Sequence, residues 1–151
     1  MYLIECIKTY MAAEKFTWSK EYSVNNEILD EQHRHMCEVA NQIADLGQEK
    51  PIMNIKEKLL FLLTKLGDNV LYHFDTEEEM MKKQNLPGTT EHLEKHKLYK
   101  KEIAKFIERV REGTSDGIEL HKEVMDFISE WITKHMLGIK TEAQVVENDQ
   151  K

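Results

Sequence analysis

The sequence predicts an all-α protein, an up-down-up-down antiparallel four-helix bundle preceded by an N-terminal arm. Three observations carry this. Apolar residues recur at spacings of three and four along most of the chain, the period of a helix. The only two prolines and six glycines fall mainly between those stretches. The connections left over are short, and short connections make consecutive helices antiparallel neighbours.

Helix A is expected from Asp30, an N-cap type followed by Glu31 in the first turn, to Gly47. Helix B is expected from Asn54 to Gln84, ended by the turn Leu86-Pro87-Gly88, and helix C from Thr89 or Thr90 to Gly113. Helix D is expected to start after Ser115 or Asp116 and to end near Gly138. The implied organisation is an N-terminal extension over 1–15, a bundle over 16–140 and a polar C-terminal tail over 141–151. Met11 offers an alternative start to the chain.

Composition narrows the function. A chain of 151 residues with 40% hydrophobic content is large enough for one domain with a real core. The net charge of -7 and the lack of a Lys/Arg stripe argue against a nucleic-acid surface. No apolar run reaches the roughly 18 to 20 residues that cross a membrane. Glu5 and Lys8 interrupt the one stretch, at the N-terminus, that faintly resembles a signal peptide. Two cysteines, Cys6 and Cys37, are too few for a disulfide framework, so a cytoplasmic location is expected.

The core stripe of each helix carries the chemistry. On helix B it runs Leu59, Leu63, Leu66, Val70, His73, Glu77, Met80, and on helix C His92, His96, Tyr99, Ile103, Phe106, Val110. Helix A gives His33, Met36, Ala40, Ile43, and helix D gives His121, Val124, Ile128, Trp131, His135. In an up-down bundle His33, His73, Glu77, His92, His96 and His135 all come to one end. His121 lies about 21 Å of helical rise before His135, at the opposite end, and is not expected to be a ligand. His35 falls off the stripe and is expected to be solvated, while Cys37 is expected to pack as a small apolar residue.

Any one of these histidines, taken alone, is better read as an ordinary residue bonded to a neighbour. Five imidazoles and a carboxylate facing one interior need partners, and a shared metal supplies them. Nitrogen-rich ligation without thiolate suits iron, zinc, copper or nickel rather than magnesium or calcium. Six ligands exceed the needs of one tetrahedral zinc, and the i, i+4 pairs on B and C suggest two adjacent ions. No histidine has a glutamate three residues before it, which disfavours a ferritin-like site.

The residues resemble the hemerythrin family. The resemblance is carried by Trp18 with Tyr22-Ser23-Val24, by Leu29-Asp30-Glu31-Gln32-His33, and by His73-Phe74-Asp75-Thr76-Glu77-Glu78 with Met81. It continues in His92-Leu93-Glu94-Lys95-His96 and in Trp131-Ile132-Thr133-Lys134-His135-Met136, and spans about residues 16–140. It implies two non-haem irons, joined by an oxo or hydroxo bridge, that bind O2 reversibly for carriage, storage or sensing. His92, His96 and His135 would hold one iron, His33 and His73 the other, and Glu77 would bridge them. Met36, Phe74, Ile132 and Met136 stand where the family lines its O2 pocket, and ordinary core packing accounts for them as well.

One departure bears on function. The family's second bridging carboxylate is an Asp five residues after the last histidine, a position occupied here by Lys140. Two ferrous ions carry four positive charges, of which Glu77 and a hydroxide cancel two and a second carboxylate would cancel a third. Lys140 is expected to turn outward, aided by a change of path at Gly138. Three outcomes follow: Glu142 replaces the bridge, water fills the position and favours peroxidase or oxidase chemistry, or one metal binds tightly. A bundle that keeps the fold but works as an interaction module is a further reading, and it predicts weak metal binding.

Overall fold

A computed structural model describes residues 15–48 and 54–149, with residues 136–149 described by their backbone alone. Four helices form an antiparallel up-down-up-down bundle: α1 (Glu27–Leu46), α2 (Ile55–Gln84), α3 (Thr89–Glu112) and α4 (Gly117–Asp149). No strand occurs among the described residues. None of their helices is long and apolar enough to cross a membrane.

Local chemistry sets the helix ends. Asn26 caps α1 by accepting the Leu29 N–H at 3.1 Å, so the helix begins three residues before the expected Asp30. Asp30 instead lies buried inside the first turn, where its carboxylate accepts the Ser23 hydroxyl at 2.6 Å and the Val24 N–H at 2.9 Å. It pins the arm rather than starting the helix. Asn85, in the left-handed region at φ 49°, closes α2, with the Leu86 N–H donating to Met81 O at 3.2 Å. The Asp116 carboxylate accepts the N–H groups of Ile118 and Glu119, both at 3.0 Å, and starts α4.

The expected end of α4 at Gly138 is overturned, because the helical backbone runs unbroken to Asp149. A single glycine inside a helix costs only about 1 kcal/mol relative to alanine, which a long helix absorbs. The expected change of path at Gly138 is therefore not present in the backbone. The side chains of Met136, Lys140 and Glu142 lie outside the described residues, as do residues 1–14 and 150–151.

The arm runs antiparallel to α1. Asn41 holds it at one end, accepting the Phe16 N–H at 2.7 Å and donating to Phe16 O at 2.9 Å. Trp18 lies under the Arg34 guanidinium, 4.2 Å from the ring centroid, and Asp30 holds the far end. One core cluster fills the bundle from Leu46, Leu59 and Leu120 up to Phe74, Trp131 and Ile132. Cys37 is buried in that core as a free thiol, and burial pushes its pKa up to about 11, so it packs and does not react.

His121 has a structural task at the end of the bundle remote from the other stripe histidines. Its Nε2 donates to Ile43 O at 2.7 Å, one of the four terminal carbonyls of α1 that lack a partner within the helix. Gly47 fits tightly beside it, since a Cβ there would sit 2.8 Å from His121 Cε1. His121→Leu should leave that carbonyl buried and unpaired and destabilise the fold by about 2 kcal/mol. Urea unfolding checks the loss, and bound metal per chain should be unchanged.

Candidate metal centre

The first turns of α1 and α3, the later part of α2 and the middle of α4 meet at one end of the bundle. They bring His33, His73, Glu77, His92, His96 and His135 together, all buried at 6% exposure or less. The donor atoms of His33, His73 and His135 lie within 4.8 Å of one another, as do those of Glu77, His92 and His96. His135 thus groups with His33 and His73, whereas the resemblance implied a place beside His92 and His96. The reason is orientation: its ring stacks near-parallel on Trp131 at 5.3 Å and lies edge-on to His73 at 5.0 Å.

Glu77, a member of the second group, also reaches the first. Its Oε1 is 2.6 Å from His92 Nε2, and its Oε2 is 3.2 Å from His73 Nε2, 3.6 Å from His96 Nε2 and 3.7 Å from His135 Nε2. The His96 and His135 contacts are longer than a hydrogen bond, and this buried carboxylate oxygen has no hydrogen-bond donor.

Second contacts fix how the rings present themselves. The Thr76 hydroxyl spends its one proton on Tyr72 O at 2.9 Å, so its oxygen accepts the Gln32 amide N–H at 3.2 Å. Gln32 Oε1 then faces His73 Nδ1 at 2.8 Å and accepts its N–H, leaving the His73 Nε2 lone pair turned inward. His96 Nδ1 donates to Glu78 Oε1 at 2.8 Å with the same result. Phe74 stacks on His96 with centroids 3.7 Å apart and planes 7° from parallel.

This donor set fits a cation. His33 Nε2 and His135 Nε2 approach His73 Nε2 at 3.2 Å and 2.8 Å, yet one neutral imidazole offers a single lone pair there. His33 Nδ1 and His96 Nε2 are buried without any hydrogen-bond partner. His33 turns its Nε2, not its Nδ1, to the shared interior, which the bare His96 Nε2 and the unpaired Glu77 Oε2 also face; a metal ion satisfies such inward atoms and a dry core does not. His35, by contrast, is exposed and lies 3.3 Å from Glu38.

Met36, Phe74 and Ile132 are buried in the main core beside these ligands, and the Met136 side chain is outside the described residues. Gln32, Glu78 and Trp131 touch the ligands without having been assigned that role from the sequence. Gln32 and Glu78 meet histidines on other helices, which a periodicity along one helix does not encode, whereas Trp131 lies four residues before His135 on the same stripe. The adjacent pair Glu77-Glu78 was the one available signal, since two carboxylates in succession point to different sides of a helix.

Burial, and next the neighbouring His73, lowers the His33 pKa from 6.5 to about 4. Burial also lowers His96, and holds His135 well below its ordinary range. Burial pushes Glu77 upward, but the His73 and His92 rings and His135 outweigh it and hold the carboxyl well below the usual range. The folded state therefore refuses protons that the unfolded chain accepts. The stability of the metal-free protein should be full above pH 6.5 and fall as pH drops towards 4, by roughly 3 kcal/mol from His33 alone. Urea midpoints of chelator-treated protein across that range check it.

The Hemerythrin HHE cation binding domain family matches residues 24–143. The chain is 24% identical to a bacteriohemerythrin of Clostridium acetobutylicum over 122 residues, covering 81% of this chain and 93% of that protein. It is 25% identical to a bacteriohemerythrin of Pseudomonas aeruginosa, covering 79% and 72%, and 28% identical to a hemerythrin-like protein of Naegleria gruberi, covering 82% and 86%. With a family match over most of its length on a four-helix bundle whose one end gathers five histidines and a glutamate, the chain belongs to the hemerythrin family.

Proposed function

We propose that this chain is a non-haem di-iron protein that binds O2 reversibly, for carriage, storage or sensing, rather than an enzyme. The observation that supports it most is the pair of adjacent three-donor groups, the second of which contains Glu77, in a site that leaves buried polar atoms without partners. Five imidazoles and a carboxylate, without thiolate, match non-haem iron. Two irons, once bound, would supply the electrons that reversible O2 binding needs.

The residues of the chain do the rest. Glu77 directs Oε1 at His92, while its Oε2 lies among His73, His96 and His135, so the carboxylate reaches both groups and is placed to bridge them. The depressed pKa values of His33, His96 and His135 keep their lone pairs available at neutral pH. Phe74 and Trp131 stack on the ligand rings, and with Met36 and Ile132 they exclude water from the core side of the site. That dry lining slows proton delivery, which favours release of oxygen intact.

Lys140 favours a second reading, a peroxidase-like or oxidase-like site or one of reduced metal content. The unbroken helix sets Glu142 two turns past His135, about 10.5 Å along the axis. A carrier returns oxygen on degassing, whereas an enzyme consumes it.

Reconstitution with ferrous iron under nitrogen should give two irons per chain by elemental analysis. A visible colour should appear in air and vanish on degassing. One iron, or a colour that never reverses, would favour the second reading, and Lys140→Asp should then restore the pair. His135→Ala should reduce metal content at least about tenfold in affinity; unchanged content in that variant would sink the site.

A further inference from the structure

The two groups of donors differ in what stands behind their rings. His73 donates its Nδ1–H to a neutral amide, Gln32 Oε1, at 2.8 Å. His96 donates its Nδ1–H to a carboxylate, Glu78 Oε1, at the same 2.8 Å. Equal distance with unequal charge means unequal polarisation. A hydrogen bond to an ionised acceptor is about twice as strong as a neutral one and pushes electron density onto the far nitrogen of the ring. That far nitrogen, His96 Nε2, is one of the buried atoms with no hydrogen-bond partner.

Glu78 is built into its position. Its side chain is 17% exposed, and Lys100 Nζ lies 3.7 Å from the carboxylate and 3.9 Å from Asp75. Lys100 is 31% exposed and also sits 5.8 Å above the Phe74 ring, the same ring that stacks on His96. The lysine faces water and its field is screened there, whereas the carboxylate acts on His96 through a direct hydrogen bond. The negative charge therefore prevails at the ring.

We propose that Glu78 is a charged positioning residue for His96, which fixes the ring with its lone pair inward and makes the metal position formed with His92 and Glu77 the more electron-rich of the two. The inference rests on the metal-binding reading above and deepens it. It also answers a charge deficit. Where Lys140 stands in place of a bridging carboxylate, Glu78 returns one negative charge to the site, transmitted through an imidazole instead of through a metal bond. The two positions are then inequivalent by construction: the electron-rich one holds ferric iron more tightly, and the one backed by Gln32 favours ferrous iron.

Nitrogen-15 NMR of the metal-free protein tests the first half without any iron. In the wild type, His96 should carry its proton on Nδ1 and leave Nε2 bare. Glu78→Leu should abolish that preference, whereas Glu78→Gln, whose amide oxygen still accepts, should keep it. Iron titration tests the second half. Glu78→Gln should weaken iron binding at one of two positions by about 10-fold to 100-fold, with the larger loss for ferric iron. Gln32→Glu, which places a carboxylate behind His73, should tighten the other position. A wild-type His96 protonated on Nε2, or a Glu78→Gln protein with wild-type affinity for both iron states, would overturn the proposal. A wild-type protein that takes up no iron would instead overturn the di-iron reading, while the nitrogen shifts of the same samples would still decide whether Glu78 orients His96.

Discussion

Desolvating five imidazoles and a carboxylate at one end of a small bundle is the constraint on which the rest of this structure depends. Each buried polar group left unpaired costs on the order of 1 to 3 kcal/mol, and His33 Nδ1 and His96 Nε2 have no protein partner. The remainder of the chain has to supply enough apolar burial to hold such a site in place. The continuous core from Leu46 and Leu59 to Phe74 and Trp131 does so, and it ends against the ligand rings themselves. Stability is concentrated along the shaft of the bundle, and function at the end where stability is sacrificed.

The supporting contacts follow from that division. Gln32, Thr76 and Glu78 accept or relay the outward N–H groups of two ligand histidines, so the rings cannot turn their lone pairs away. Asp30 and Asn41 clamp the arm along α1, the helix that carries His33. At the other end, His121 closes the C-terminus of α1 with a side-chain hydrogen bond. One residue type thus performs two unlike tasks, a donor atom at one end of the shaft and a helix cap at the other.

The gathering of these histidines and Glu77 was legible because its information is periodic: His73 and Glu77, or His92 and His96, share a stripe on one helix whatever lies across from it. The opposite-end placement of His121 follows from helical rise alone. The residues that face another helix were not legible. Glu78 and Gln32 meet His96 and His73 across helix boundaries. Asp30 misled as a cap because Asn26, a residue equally suited, stands one turn earlier and leaves Asp30 free to tie down the arm. Gly138 misled because a glycine ends a helix only where the backbone needs a left-handed residue, and α4 continues through it.

The placement of the two tryptophans gives the molecule a built-in optical gauge. Trp131 lies against the His135 ring, so its emission is expected to respond to anything bound among the histidines. Trp18 is clamped beneath Arg34 on the outside of α1, and its emission registers whether the arm is seated. Two fluorophores of the same kind thus watch two separate events, occupancy inside and docking outside. Replacing the peripheral Trp18 lets the buried Trp131 be read alone.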